Sequence, residues 1–125
     1  MTGDLDAGPI YAKKTISLEG SLSQIFSRVS EAINKLILEI ILEPKSPKEQ
    51  VGDIHVFKRL GNTDNELPKG IDLNQIYDRI RMLDDKNYPN AFLVDGNTKF
   101  SFSDAKYEDD VITVNCRITN VFKAC

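Results

Sequence analysis

Few side chains here could do chemistry, and the best placed is a carboxylate, Asp6, in the stretch LDAGPI at residues 5 to 10. Gly8 and Pro9 behind it are turn formers, so Asp6 would sit on a sharp loop rather than inside a helix or strand. A carboxylate held that way can orient an imidazole or a water and help move a proton. It can also be a plain turn residue, and the residue types alone favour that reading. The single histidine, His55, stands between Ile54 and Val56, where a ring is more often structural or exposed than catalytic. Cys116, Cys125 and that histidine lack metal-ligand spacing, so no metal is expected. No serine occupies a nucleophile elbow, and glycines such as Gly3 and Gly8 form no dinucleotide fingerprint. Arg79 and Arg81 could meet a phosphate, but a solvated helix face suits them better, and Lys58–Arg59 read as a linker charge pair.

The elements that would position Asp6 follow it directly. Tyr11, Ala12, Thr15, Ile16 and Leu18 predict a short strand. Gly20 then breaks the chain, Ser21 can cap a helix, and Gln24 stands where a capping-box partner belongs. From Leu22 through Ile25, Phe26, Val29, Ala32, Ile33, Leu36, Ile37, Ile40 and Ile41 the apolar residues keep helical spacing to about residue 42. Burying such side chains is worth about 1.5 to 3 kcal/mol each before chain entropy, so this stripe should be covered, by the rest of the fold or by a second copy.

PKSPKEQVGD, residues 44 to 53, reads as a linker, IHVFKRL as a short strand and GNTDNELPKG as loop. Asp72 should cap a second helix over LNQIYDRIRMLDD, with Gln75 as its capping-box partner and Leu73, Ile76, Tyr77, Ile80 and Leu83 on one face. AFLV, a turn at DGN (95 to 97) and TKFSFSDA predict a hairpin, KYEDD a further turn, and VITVNCRI another strand.

At 125 residues the chain has room for one ordinary core, and its 41% apolar and 28% charged residues are those of a globular α+β protein. No apolar run is long enough to span a membrane and the first residues carry no signal-peptide pattern, so a cytoplasmic protein with reduced thiols is expected. Residues 1 to 60 balance eight basic against eight acidic groups, whereas residues 61 to 125 carry eight basic and eleven acidic. A nucleic-acid surface would be basic, so nucleic acid is disfavoured as a partner.

The stretch from Met1 to Ile41 resembles the final strand, active-site loop and closing helix of folate-dependent formyltransferases, a family that includes methionyl-tRNA formyltransferases and sugar N-formyltransferases. Its Asp-x-Gly-Pro-Ile motif falls on Asp6, Gly8, Pro9 and Ile10. IYDRIRMLDDKNYPNAFLVDGNTKFSFSDA is similar to the family's C-terminal domain through Arg81, Leu83, Tyr88, Pro89, Ala91 and Phe92. The resemblance implies a Rossmann-like strand-loop-helix remnant over residues 1–43, a linker over 44–67, and a C-terminal helix and β-hairpin module over 68–125.

It further implies 10-formyltetrahydrofolate as formyl donor, Asp6 as the catalytic carboxylate, and Gly3, Asp4, Leu5 and Asp6 lining the pterin pocket. The family's catalytic asparagine and histidine lie upstream of the motif and have no counterpart in this sequence. His55 follows the long helix and cannot take that role. The expectation is therefore a formyltransferase fragment, inactive by itself, whose full-length form uses a sugar-nucleotide or other small-molecule amine rather than methionyl-tRNA, and which pairs as a homodimer. The other reading is a non-catalytic binding or dimerisation module.

Overall fold

The computed structural model describes residues 8–121, and these divide into two compact units. One gathers the residues up to Leu18 with Phe26–Lys58; the other gathers Glu19–Ile25 with Arg59 onward.

The helix α1, Leu22–Leu42, runs through that division with the bounds its periodicity predicts. Its start is a reciprocal cap: the Ser21 amide donates to Gln24 Oε1 at 2.9 Å, and the Gln24 amide donates to Ser21 Oγ at 3.4 Å. Gly20 precedes it with φ +83°, and a Cβ there would run into the Gln24 side chain, so glycine is needed twice over. Leu22, Ile25 and Ala32 are buried, but Ile33, Ile37, Leu38, Ile41 and Leu42 lie open, reaching 76% exposure at Leu42. The cover expected for the far turns of the stripe is not supplied by the described residues.

Two predicted strands do not form. Residues 11–18 and 54–60 join no ladder, and the β pairing near the first of them is one antiparallel bridge, Ile10 with Lys48. Alternation marks a strand only where a neighbouring edge can take its N–H and C=O groups, and neither segment finds one.

In the second unit α2, Leu73–Arg81, starts at Asp72, whose carboxylate accepts the Gln75 amide at 2.8 Å while Gln75 Oε1 accepts the Asp72 amide at 3.1 Å. It ends earlier than its pattern suggests, because Leu83 and Asp84 donate back to the carbonyls of Ile80 and Arg81 in tighter turns. The strands β1 (Phe92–Asp95), β2 (Thr98–Glu108) and β3 (Val111–Asn120) form an antiparallel sheet in the order β1-β2-β3, at the three strands expected from AFLV, TKFSFSDA and VITVNCRI. A 3-10 turn, Asn62–Asn65, lies in the stretch expected to be loop. Behind it the Leu67 amide donates to the Phe92 carbonyl at 2.8 Å, and the buried Asn65 donates from Nδ2 to the Pro89 carbonyl at 2.8 Å.

The KYEDD turn is also narrower than predicted. β2 continues through Lys106, Tyr107 and Glu108, leaving only Asp109 and Asp110, both with positive φ, to turn the chain. A bulge between Ser103 and Lys106 hides this continuation from the sequence pattern. With Asp104 at φ +52° the bulge inserts a residue and re-phases the strand, so Phe102 and Ala105, three apart, both pack on the core. That core is Leu67, Ile80 and Ala91, with Ile76, Leu83, Phe102, Ala105 and Val114 around it. Ile80 is 2% exposed at its centre, whereas Leu73, predicted for the same helix face, lies outside it, exposed.

Candidate functional site

Gly3, Asp4, Leu5 and Asp6, the residues to which the resemblance gives cofactor binding and catalysis, lie outside the described residues. The end of their motif is described, and it is held. Ile10 and Lys48 exchange both backbone hydrogen bonds, Ile10 N to Lys48 O at 2.7 Å and Lys48 N to Ile10 O at 2.9 Å. Gln50 Nε2 donates to the Gly8 carbonyl at 2.8 Å. The segment read as a structureless linker therefore clamps the Gly8-Pro9-Ile10 end of the motif, a role no local pattern in PKSPKEQ announces.

Between the two strips of chain lies a cavity of about 600 Å³ lined by Ile10, Tyr11, Lys13, Lys45, Lys48 and Gln50 among others. Lys45 is drawn to Glu39 of α1 at 3.2 Å. The segment before α1 is tied to that helix by Arg28, whose Nε donates to the Ser17 carbonyl at 2.9 Å. His55 is exposed, its ring 4.7 Å from that of Phe57.

The second unit spends its charged groups on holding itself together. Arg81 donates from Nε to Asp78 Oδ1 at 2.7 Å and from Nη1 to the Gly20 carbonyl at 2.9 Å, and lies 5.7 Å from the centroid of the Tyr77 ring. Rather than standing on a solvated helix face, it is a clip between α2 and the turn that starts α1. Ser23 Oγ donates to Asp85 Oδ2 at 2.7 Å beside it. The Asn87 amide, donating at 2.8 Å, and then the Ser23 hydroxyl hold the Asp85 carboxyl below its usual range. Tyr107 packs against Tyr77 with ring centroids 5.8 Å apart. Desolvation first, then its hydrogen bond to Asp110, raises its phenol above the ordinary value. Among the described residues no cluster of histidine, cysteine or acidic groups could hold a metal, and no helix is long and apolar enough to cross a membrane.

Comparison with known proteins places this architecture. Residues 62–119 match the family model for the C-terminal domain of methionyl-tRNA formyltransferase. The solved methionyl-tRNA formyltransferase from Clostridium thermocellum is similar over 96% of this chain, with 35% identity and a TM-score of 0.91. The chain spans about half of that enzyme, 53% of its length. Compared by sequence with curated proteins, the chain finds no significant match. Over residues 62–119, on the α2 and β1–β3 unit, the chain carries a C-terminal domain of the formyltransferase family.

Proposed function

We propose that this chain is part of a 10-formyltetrahydrofolate-dependent formyltransferase that formylates an amine. In this reading residues 1–43 are the end of a Rossmann-like catalytic domain, 44–67 a linker and 68–125 the C-terminal module, in a cytoplasmic enzyme. The observation that carries it is the likeness over 96% of the chain to a solved formyltransferase, in a chain that keeps the Asp-x-Gly-Pro-Ile motif. Clamping of Gly8 and Ile10 by Gln50 and Lys48 supports it, because a catalytic loop needs a fixed root.

Formyl transfer requires the attacking amine to lose a proton and the tetrahedral intermediate's oxyanion to be stabilised. When bound, 10-formyltetrahydrofolate supplies the formyl carbon. Asp6 would favour the charged form of a neighbouring imidazole and orient a water for proton transfer. Backbone groups of Gly3, Asp4 and Leu5 would serve the pterin ring, a donor and acceptor set that suits its polar edge. The family's asparagine and histidine have no counterpart in these 125 residues, so the chain alone turns nothing over.

A sugar-nucleotide or other small-molecule amine is the favoured acceptor, because the eleven acidic against eight basic groups of residues 61 to 125 make a poor surface for phosphate-rich tRNA. Methionyl-tRNA is the second reading, favoured by the likeness of residues 62–119 to the C-terminal domain of methionyl-tRNA formyltransferase and of the chain to the Clostridium thermocellum enzyme. The test combines this chain with the half of the Clostridium thermocellum enzyme that has no counterpart in it, and supplies 10-formyltetrahydrofolate with an amino-sugar nucleotide or methionyl-tRNA. Formylated sugar is the expected product. Formylation of methionyl-tRNA alone would select the second reading, and a stable complex that formylates neither would favour a non-catalytic module.

A further inference from the structure

The antiparallel bridge of Ile10 with Lys48 sets a register for the two strips of chain that meet at it. On one side Gly8 runs toward Gln50, whose side chain closes that end by donating to the Gly8 carbonyl at 2.8 Å. On the other side Lys13 runs toward Lys45, each of them three residues from the bridge. Among the described residues no further backbone rung joins the strips there, and the gap is the cavity of about 600 Å³, which lies wholly within the first unit. Like charges set opposite each other repel, so the lysines themselves work against closing this end of the ladder.

The lining has two characters. Ile10, Tyr11 and Val51 make it partly apolar, and Tyr11, 55% exposed, leaves its ring open to a ligand. Lys13, Lys45 and Lys48 make it cationic, against one lining carboxylate, Glu49. Lys45 is drawn to Glu39, whereas among the described residues Lys13 and Lys48 have no carboxylate within ion-pair distance. A volume in the range of small-molecule sites, with apolar walls and a few charged groups, suits a ligand that is part aromatic and part anionic. The charges are point charges spread along the groove, from Lys48 at the bridge to Lys13 and Lys45 roughly 10 Å of extended backbone beyond it. The described lining holds no arginine and no helix N-terminus, the groups that best grip a compact phosphate. A row of separate carboxylates fits it better.

We propose that this cavity takes the glutamate end of the formyl donor, with the aminobenzoyl ring against Ile10 and Tyr11 and the carboxylates on Lys13, Lys45 and Lys48. Every further glutamate joined through a γ-carboxyl adds one free carboxylate, so the site selects a donor that carries several. The proposal rests on the formyl-transfer reading, in which Gly3, Asp4, Leu5 and Asp6 serve the pterin. Ile10 follows Asp6 by four residues, at most about 14 Å of chain, which a pterin, a benzoyl ring and a glutamate joined end to end can span.

The first test needs no turnover. The full 125-residue chain is titrated with tetra-γ-glutamate at low ionic strength and followed by nuclear magnetic resonance. Saturable shifts should appear at Tyr11, Lys13, Lys45 and Lys48, and affinity should rise from one glutamate to four. Lys13→Gln and Lys48→Gln should each weaken binding about threefold, the scale of one exposed charge pair, whereas Lys14→Gln, which removes the same charge outside the cavity lining, should leave it unchanged. No saturable binding, equal binding by the Lys13 and Lys48 variants, or tighter binding of tripolyphosphate or a short RNA would overturn the proposal. In the chain joined to the complementary half of the Clostridium thermocellum enzyme, a tetraglutamate donor should show a KM about threefold or more below that of the monoglutamate donor at equal kcat. Transfer with equal KM overturns the glutamate site alone. Absence of transfer from either donor is a failure of the formyl-transfer reading, and the peptide titration then decides the site by itself.

Discussion

The carboxylate of Asp84, just past the end of α2, accepts the backbone amide of Asp104 at 2.9 Å. Asp104 is the left-handed residue of the β2 bulge, and its own carboxylate accepts Asn115 Nδ2 at 2.7 Å. One helix terminus, one bulge and the neighbouring strand are thereby fixed together, which is what keeps Phe102 and Ala105 on the same side of the sheet. Asp84→Ala should destabilise the fold by about 1 kcal/mol, the typical net worth of an exposed charge-assisted bond after solvent discounting. A urea titration reads it as a lower midpoint at unchanged slope, and an unchanged midpoint would mean the bulge holds without Asp84.

Arg81 is the second prediction. A lysine cannot reproduce the fork that serves Asp78 and the Gly20 carbonyl together, so Arg81→Lys should cost about 1 to 2 kcal/mol although charge is conserved. A double-mutant cycle with Asp78→Ala separates the two partners: most of the loss should survive in the Asp78→Ala background, because the carbonyl bond is the less exposed of the pair.

These two arginine contacts illustrate what the sequence shows and what it hides. Periodicity and capping residues foretell α1, both caps and the start of α2, because those signals act within a few residues along the chain. Arg81 reads locally as a surface residue, since its acceptor Gly20 is distant in sequence. The bulge at Asp104 breaks the alternation that would have shown β2 reaching Glu108. Residues 11–18 and 54–60 fail the other way: they alternate as strands do, but strand formation depends on a partner edge that lies elsewhere. For the same reason Lys48 and Gln50 gave no hint that they hold the motif, and the apolar spacing of α1 gave none that its far turns lie open among the described residues.

The third prediction concerns Gly96, the first of two residues in the β1–β2 turn, with φ +56°. Asn97 does not share the positive φ, which is the pattern of a type II′ turn. A Cβ at Gly96 would meet nothing within 4 Å, so Gly96→Ala isolates the backbone cost, about 1 kcal/mol. Thermal unfolding should show the loss, and equal stability would mean the turn changes type without penalty.

The pH dependence of the second unit has two signed parts. Asp85 has a lowered folded-state pKa, so its contribution is present above the unfolded carboxylate range and disappears as pH falls through the lowered value. Ser23→Ala should lower stability at neutral pH, where the Asp85 carboxylate is charged, and cost less as pH falls through the lowered value, so that part of the acid dependence disappears. Tyr107 is shifted upward, so its contribution is present below the ordinary phenol value and is lost as pH rises through the raised one. Tyr107→Phe should flatten that alkaline loss, and acid and alkaline titrations identical to the parent's in both variants would contradict the assignments.

The central claim is that Asp6 belongs to a formyl-transfer site, and the most direct measurement is a single turnover. With this chain joined to the complementary half of the Clostridium thermocellum enzyme and loaded with 10-formyltetrahydrofolate and its amine, formyl transfer should fall at least about a hundredfold in Asp6→Asn, the scale of losing a proton-transfer group. Binding of the two halves should stay the same. Transfer at the parent rate with asparagine at position 6 would contradict the account.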